Sequence, residues 1–94
     1  MIDREPGNAY AYERRGQARS KLGDLDGALQ DLNKLLDLDP RNGNRFALRG
    51  RAWLEKKDYR NALADFRKAL ELSPGLKAEL APLADECERN LPGK

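Results

Sequence analysis

The sequence predicts an all-α protein built from two copies of a helical hairpin followed by one further helix. Composition is the first reason, since Val and Thr are absent, Ile occurs only at Ile2, and Leu, Ala, Glu, Lys and Arg dominate. Strands favour β-branched residues, whereas these five are good helix formers. An internal repeat is the second reason, because one sequence pattern occurs twice. With 39% apolar and 36% charged residues, the 94-residue chain can form a single small domain with a buried core.

The repeat is visible in small residues and prolines that return at a constant interval. The interval from Pro40 to Pro74 defines a period of 34 (74 − 40), and it aligns residues 9–42 (repeat 1) with residues 43–76 (repeat 2). The identical pairs include Gly16 with Gly50, Ala28 with Ala62, Leu29 with Leu63 and Lys34 with Lys68. Self-similarity at this period is typical of stacked units that each contribute one supersecondary element.

The second helix of each repeat has its own start and stop signals. Asp24 and Asp58 precede these helices and can accept hydrogen bonds from the free amide groups of the first turn. Pro40 and Pro74 end the helices, because a proline disfavours helical geometry in the residue before it. Each repeat is therefore expected to contain two helices of about 13 residues, roughly 20 Å long.

The start of the chain fits the same frame. The stretch IDREP within residues 1–8 has the shape of LDLDP, which ends at Pro40. Residues 1–8 are therefore interpreted as the tail of a preceding second helix, with a leader as the alternative.

The end of the chain predicts a fifth helix over residues 77–91 that caps repeat 2. Its outer side, with Glu79, Glu86 and Glu88, is expected to remain in solvent. Because a proline costs about 3 kcal/mol in a helix interior, the helix is expected to start close before Pro82. Residues 92–94 are expected to form a flexible tail.

Aromatic, small and proline residues occupy matching positions in the two copies. Repeat 2 carries them at Phe46, Gly50, Trp53, Ala62, Phe66, Ala69 and Pro74. Repeat 1 has Tyr12, Gly16, Arg19, Ala28, Leu32, Leu35 and Pro40 at these positions, with Arg19 and Leu35 departing from the pattern. This pattern resembles the tetratricopeptide repeat family. The resemblance implies an α-solenoid, in which helix pairs stack into a right-handed superhelix.

Small residues indicate where the two helices of a repeat cross. Antiparallel helices approach closely only where both present small side chains. We therefore expect Gly16 to face Ala28 and Gly50 to face Ala62.

Opposite charges recur at the same offset in both repeats. Arg15 precedes Asp31 by the same interval as Arg49 precedes Asp65 (31 − 15 and 65 − 49). We expect each Arg to reach its Asp across the hairpin as a partly buried ion pair that fixes the register of the two helices. The alternative is two separate solvated charges.

Several kinds of chemistry find no support. The chain has no His, which removes the usual general base and the imidazole metal ligand. A phosphate-binding loop is missing, and a lone Cys makes neither a zinc site nor an internal disulfide. We expect no enzyme, no metal and no cofactor. The evenly spread net charge of +2 indicates neither nucleic acid nor membrane binding, and the single Cys favours a cytoplasmic compartment.

Three other features have a chemical and a structural interpretation. Trp53 is either a ligand-stacking ring or a core residue, and its position in the repeat favours the core. Cys87 is either a redox thiol or a packed residue, and its acidic neighbours disfavour the thiolate. The acidic pairs at 24/26 and 37/39 lack the Gly and distal Glu of a calcium loop, so capping and solvation explain them better.

Binding is implied by the family resemblance alone. In this family the first helices of successive repeats line a concave groove that holds a peptide or a helix of a partner protein. The groove positions of repeat 1 are Tyr10, Glu13, Gln17, Ser20 and Lys21. Those of repeat 2 are Asn44, Ala47, Arg51, Leu54 and Glu55, and those of the fifth helix are Ala78, Ala81, Asp85, Glu88 and Arg89. Arg51 is expected near the centre, with Glu55, Asp85 and Glu88 near enough to neutralise it.

One subclass of the family grips the C-terminal carboxylates of heat-shock chaperones with Lys, Asn and Arg side chains. The corresponding positions here are Glu13, Gln17, Leu48, Ala78 and Pro82. Only Gln17 resembles the expected amide, so a chaperone ligand of this type is disfavoured.

Two classes of function remain. The first is a protein–protein interaction module within a larger scaffold, whose partner is a peptide or helix of unknown identity. The alternative is a structural unit that self-associates through its open repeat ends, where apolar area is exposed.

Overall fold

Five α-helices make up the structure, a computed structural model that describes residues 9–91. The helices are α1 (Ala9–Lys21), α2 (Leu25–Leu38), α3 (Gly43–Glu55), α4 (Tyr59–Leu72) and α5 (Lys77–Asn90), with a 3₁₀ turn at Pro74–Leu76 before α5. The described residues contain no strand, which confirms the all-α fold. The interpretations of residues 1–8 and 92–94 fall outside the described residues.

The turn between the helices of each hairpin has the same geometry in both copies. After α1, the Gly23 N–H bonds the Ser20 carbonyl at 3.1 Å and the Asp24 N–H bonds the Arg19 carbonyl at 2.8 Å. After α3, Lys57 bonds Leu54 at 2.9 Å and Asp58 bonds Trp53 at 2.9 Å in the same way. This Schellman motif needs a left-handed residue, and Gly23 and Lys57 have φ values of +86° and +64°.

The next helix then begins with the predicted aspartate cap. Asp24 Oδ1 accepts from the Gly27 N–H at 3.0 Å, and Asp58 Oδ1 accepts from the Asn61 N–H at 3.3 Å. These bonds satisfy amide groups that have no partner inside the helix. Turn and cap together reverse the chain over a short connection, so that each hairpin is tight.

Helix α5 contains a proline. It starts at Lys77, the first residue of the range predicted for it, and Pro82 lies inside the helix. A proline there removes the hydrogen bond to the Ala78 carbonyl. The helix nevertheless continues through this point, because Leu80 is completely buried and Leu76 packs against the same core, so that tertiary burial offsets the lost bond.

Two apolar clusters form the core. The first hairpin contributes Leu29, Leu32 and Leu35, which cluster with Ala52 of α3. The second hairpin and α5 contribute Ala47, Ala62, Leu63, Phe66, Ala69, Leu80 and Cys87. Trp53 packs against both clusters, so its ring joins the two hairpins and acts in the core.

The small-residue crossings differ from the expected pairs. The atoms nearest to a Cβ placed on Gly16 belong to Leu32 and Asp31, not to Ala28. Helices α1 and α2 run in opposite directions, and the short turn between them sets which residues lie opposite each other. It places Gly16 opposite Leu32, about one helical turn after Ala28.

The second hairpin repeats this arrangement. The atoms nearest to a Cβ placed on Gly50 belong to Phe66 and Asp65, not to Ala62. Each glycine therefore leaves room for a large side chain of the second helix.

Candidate functional site

Helices α1 and α3 enclose two adjoining depressions, which together we call the α1–α3 groove. The first has a volume of about 370 Å³ and is lined by Glu13, Gln17, Asn42, Asn44, Arg45, Ala47, Leu48, Arg51 and Glu79. The second, of about 300 Å³, is lined by Gly16, Gln17, Ser20, Lys21, Leu32, Leu48, Arg51 and Glu55. Gln17, Leu48 and Arg51 line both depressions, so they form the middle of the groove.

One wall of the groove is fixed by Arg45, whose guanidinium bridges two carboxylates. Its Nη2 lies 3.0 Å from Glu13 Oε1, and its Nη1 lies 2.6 Å from Asp39 Oδ2. Only 16% of the Arg45 side chain is exposed, which strengthens these bonds relative to a surface pair. The bridge ties α3 to α1 and leaves the Arg45 charge committed within the protein.

The positive charge at the centre of the groove is also paired within the protein. Arg51 donates a hydrogen bond to Glu79 of α5. The sequence had indicated Glu55, Asp85 and Glu88 as the neutralising groups, with Glu79 on the outer side of α5. Glu79 instead lies in the first turn of α5, where its carboxylate reaches the groove.

Three amide side chains of the groove are uncommitted. Within residues 9–91, Gln17, Asn42 and Asn44 have no side-chain hydrogen bond. Asn42 stands at the N-cap of α3 yet does not cap it, unlike Asp24 and Asp58 at the corresponding places before α2 and α4. Each amide offers a donor and an acceptor, which is the pairing that a peptide backbone requires.

The structure brings together eight of the predicted groove residues and separates others. The eight that line the groove are Glu13, Gln17, Ser20, Lys21, Asn44, Ala47, Arg51 and Glu55. Tyr10 is 60% exposed and its ring lies under the Arg14 guanidinium, 5.5 Å from its centroid. Leu54 packs against the second apolar cluster, and Arg89 is exposed outside both depressions.

Three of the predicted groove residues lie elsewhere. Asp85 and Glu88 line a separate depression between α4 and α5, and Glu88 is paired with Arg67 of α4 at 3.1 Å. Ala81 lines the same depression. The burial of Leu80 fixes the rotation of α5 about its own axis. With α5 in this orientation, the side that carries Ala81, Asp85 and Glu88 faces α4.

Sequence reasoning missed Asn42, Arg45 and Glu79 as groove residues. Asn42 follows Pro40 and precedes a helix, a setting in which an Asn normally caps, so the residue type hid its availability. For Arg45, the available signal was two acidic residues, Glu13 and Asp39, within reach of the N-terminus of α3.

The ion pairs inside the hairpins have nearly the same geometry in both copies. Arg15 Nε and Nη2 donate to Asp31 at 2.9 and 2.8 Å, and Arg49 Nε and Nη2 donate to Asp65 at 2.8 and 2.9 Å. Both pairs are bidentate, and the aspartates are only 2% and 5% exposed. Arg49 also donates to Asn33 at 2.9 Å, so it links α2, α3 and α4.

Catalytic and metal-binding groups are sparse in the part of the chain that the structure describes. No group of three or more His, Cys, Asp or Glu side chains within it is arranged to hold a metal ion. Cys87 is buried, and this burial, together with Glu86 and Glu88, raises the pKa of its thiol. None of the helices in residues 9–91 is long and apolar enough to cross a membrane.

Comparison with known proteins identifies the family. The model of the tetratricopeptide repeat matches residues 2–43 and 14–77, which together span most of the chain. The chain therefore belongs to the tetratricopeptide repeat family.

Solved structures share the fold over nearly the whole chain. The TPR domain of Arabidopsis OM64 superposes with a TM-score of 0.85 at 33% identity, covering 96% of this chain and 74% of that one. The TPR2B domain of yeast Sti1 in complex with pHsp70 gives 0.85 at 28% identity, covering 97% and 77%. The Sti1 TPR2AB domain in complex with pHSP90 gives 0.82 at 29% identity, covering 94% and 36%.

A curated relative is similar over a short stretch. The FK506-binding protein-like protein of Rattus norvegicus is 53% identical over 36 residues, which are 38% of this chain and 10% of that protein. The chain thus matches about a tenth of the length of this relative.

Proposed function

We propose that this chain is a protein–protein interaction module that holds a segment of a partner protein in the α1–α3 groove. The observation that carries the proposal is the row of three uncommitted amides, Gln17, Asn42 and Asn44, along two adjoining depressions. Domains of this family are generally interaction modules without catalytic activity, and the chain has no His to serve as a general base. The family and the groove chemistry both support binding rather than catalysis.

The groove favours a segment with little net charge. Arg45 is held by Glu13 and Asp39, and Arg51 by Glu79, so both arginines of the groove have acidic partners within the protein, and Lys21 of the second depression is the groove cation without one among the described residues. An incoming carboxylate would have to displace one of these partners. Amide side chains can instead bond the N–H and C=O groups of an extended backbone, while Leu48 offers an apolar contact in the middle of the groove.

A chaperone-type carboxylate ligand fits the groove poorly. The positions that would carry its Lys, Asn and Arg ligands hold Glu13, Gln17, Leu48, Ala78 and Pro82. The Sti1 domains bind pHsp70 and pHSP90, so a similar fold with different groove residues is proposed here to select a different segment.

Selection from a random peptide library displayed on phage tests the function directly. Peptides that bind the chain are expected to lose affinity for the double variant Gln17→Ala/Asn44→Ala by about tenfold or more, since two hydrogen bonds of about 1 kcal/mol each are removed. The matched control is Gln30→Ala on the exposed side of α2, which leaves the groove intact. Equal affinity for the chain and the groove variant would refute the groove as the binding site.

A pair of peptides tests the ligand chemistry. An acidic peptide with a free C-terminal carboxylate and its amidated counterpart are expected to bind with similarly weak affinity, because both arginines of the groove are already paired and the one lysine, Lys21, is exposed to solvent. Tighter binding of the free acid by tenfold or more (about 1.4 kcal/mol) would show that the groove acts as a carboxylate clamp.

A further inference from the structure

The two arginines of the α1–α3 groove are not equally accessible. The side chain of Arg45 is 16% exposed and is held by both Glu13 and Asp39. The side chains of Arg51 and of its partner Glu79 are 42% and 58% exposed. Arg51 also lines both depressions, whereas Arg45 lines one of them. Arg51 is therefore the arginine that a bound segment could contact in place of its present partner.

Of the acidic side chains that the structure describes near Arg51, Glu79 is the one bonded to it. Glu55 lies one helical turn further along α3 and lines the second depression, but no ion pair joins it to Arg51 within residues 9–91. Asp85 and Glu88 line the depression between α4 and α5. Arg51 instead donates to Glu79, which comes from a different helix and lines the first depression. Glu79 thus supplies the negative charge that meets Arg51 at the centre of the groove.

Packing fixes the backbone that carries Glu79. The next residue, Leu80, is completely buried, and Leu76 packs against the same core just before the helix. Glu79 lies in the first turn of α5, where the helix dipole favours a carboxylate. Its side chain remains more than half exposed, so the carboxylate can leave Arg51 without disturbing the core. The contact is therefore positioned by the fold and is still reversible.

A carboxylate positioned in this way competes with the carboxylate of a ligand. Groups joined by a short tether meet at an effective concentration in the millimolar range, well above that of most ligands. A ligand can bind Arg51 only in molecules in which the guanidinium is free, so its apparent affinity falls in proportion to that fraction. Exposed ion pairs are modest, and the expected reduction for an acidic ligand is up to about fivefold. A segment without a carboxylate is not affected.

We propose, building on the binding function of the α1–α3 groove proposed above, that Glu79 is a specificity-determining residue that excludes acidic segments from the groove. In the free protein its carboxylate occupies the Arg51 guanidinium, where the carboxylate of an acidic ligand would bind. A segment of low net charge bonds Gln17, Asn42 and Asn44 without displacing Glu79. Removing the charge of Glu79 opens the groove to acidic segments.

The variant Glu79→Gln tests this role because it keeps the size of the side chain and removes its charge. Peptides are selected on the variant and on the unmodified chain from one random library displayed on phage. Asp and Glu are expected to be enriched among the peptides selected on the variant and not among those selected on the unmodified chain. A synthetic acidic peptide from the variant selection is expected to bind the variant about fivefold more tightly than the unmodified chain. Peptides of low net charge are expected to bind both equally.

Two further variants assign the effect to Arg51. Adding Arg51→Gln to Glu79→Gln is expected to abolish the gain, since the acidic peptide then lacks its cation. Glu71→Gln removes the carboxylate of another exposed pair, which Glu71 forms with Lys68 at 3.4 Å on α4, and is expected to bind like the unmodified chain. Circular dichroism checks that all variants remain helical.

The outcomes separate the role of Glu79 from that of the groove itself. Low-charge peptides that need Gln17 and Asn44, together with no gain in Glu79→Gln, uphold groove binding and overturn the role of Glu79. A gain that persists without Arg51 overturns this role as well, because the change in net charge then explains the affinity. Acidic peptides that bind Glu79→Gln through Arg51, when the unmodified chain binds no peptide, uphold the role of Glu79 and overturn the low-charge ligand. No binding to either chain overturns both.

Discussion

Gly50 lies directly against the ring of Phe66, so that a Cβ placed on the glycine would stand 2.7 Å from Cε1 and 2.9 Å from Cδ1. Gly16 faces the smaller Leu32, and its Cβ would stand 3.2 Å from the nearest carbon of that side chain. The two equivalent glycines therefore differ in how much space surrounds them.

This difference predicts unequal costs for the same substitution. Gly50→Ala forces the fully buried Phe66 ring to move and is expected to destabilise the protein by about 1–3 kcal/mol. Gly16→Ala is the matched control, and the better helix propensity of Ala, about 1 kcal/mol, offsets much of its milder crowding. Chemical denaturation measures both values. A loss at Gly16 that equals or exceeds the loss at Gly50 would contradict the packing described here.

The fold was predictable because its determinants are local and occur twice. The constant repeat interval, the aspartate caps and the prolines each constrain a few neighbouring residues, and the structure repeats them in both hairpins. The partners of Gly16 and Gly50 depend instead on how far the turn displaces one helix along the other. A pattern of small residues carries no information on that displacement, so it did not indicate Leu32 and Phe66 as the side chains nearest to the glycines.

The two hairpin ion pairs are expected to differ in strength. The side chain of Arg49 is 24% exposed and that of Arg15 is 42% exposed, although both aspartates are buried. Removing one partner of the more buried pair, as in Asp65→Asn, is expected to destabilise the protein by about 2–3 kcal/mol, because the remaining charge loses its partner in a poorly solvated site.

Double-mutant cycles give the coupling within each pair. The cycle of Asp65→Asn with Arg49→Gln is expected to yield a larger coupling free energy than the cycle of Asp31→Asn with Arg15→Gln. Additive effects within both pairs would mean that the bidentate bonds contribute nothing to stability.

Substitutions at the left-handed residue of each turn are expected to change the stability of the protein in opposite directions. Lys57 adopts φ +64°, a conformation that costs a side chain about 1–2 kcal/mol, so Lys57→Gly is expected to stabilise the protein by about 1 kcal/mol. Gly23→Ala places a side chain in the same conformation, with no atom within 4 Å of its Cβ, and is expected to destabilise through the backbone alone. Thermal unfolding compares the two. A loss of stability in Lys57→Gly would show that the Lys57 side chain matters more than its backbone conformation.

The buried thiol predicts a pH dependence at the alkaline end. Burial first, and the Glu86 and Glu88 carboxylates next, raise the pKa of Cys87 above its ordinary value of 9.0. The folded state therefore holds the thiol proton more tightly than the unfolded state. Its stabilising contribution is complete below pH 9.0 and is lost as the pH rises further through the folded-state pKa.

The variant Cys87→Ala separates this effect from other titrations. The difference in thermal midpoint between the unmodified chain and the variant is expected to be constant below pH 9.0 and to shrink above it. Alkylation of the native thiol is expected to be slow at neutral pH relative to the unfolded chain. A native thiol that reacts at neutral pH as fast as the unfolded one would contradict its buried, protonated state.

The residues that line the groove were less predictable than the fold, because the orientation of α5 determines which of its side chains reach the groove. Gln17, Asn44 and Arg51 could be placed from the repeat alone, since each occupies a first helix of a hairpin. Asp85 could not, because the burial of Leu80 in the core determines which face of α5 meets α4. The same feature brings Glu79 to Arg51, a contact between distant positions that no repeated offset indicates.

Amide chemical-shift mapping with a library-selected peptide tests most directly the central claim that the α1–α3 groove is the binding site. The largest changes are expected in α1 and α3, at Gln17, Asn44 and Arg51 and at the side-chain amides of the groove. They are expected to disappear in the Gln17→Ala/Asn44→Ala variant. Changes confined to the second helices of the hairpins, around residues 29–36 and 63–70, would place the peptide on the opposite face and contradict the account.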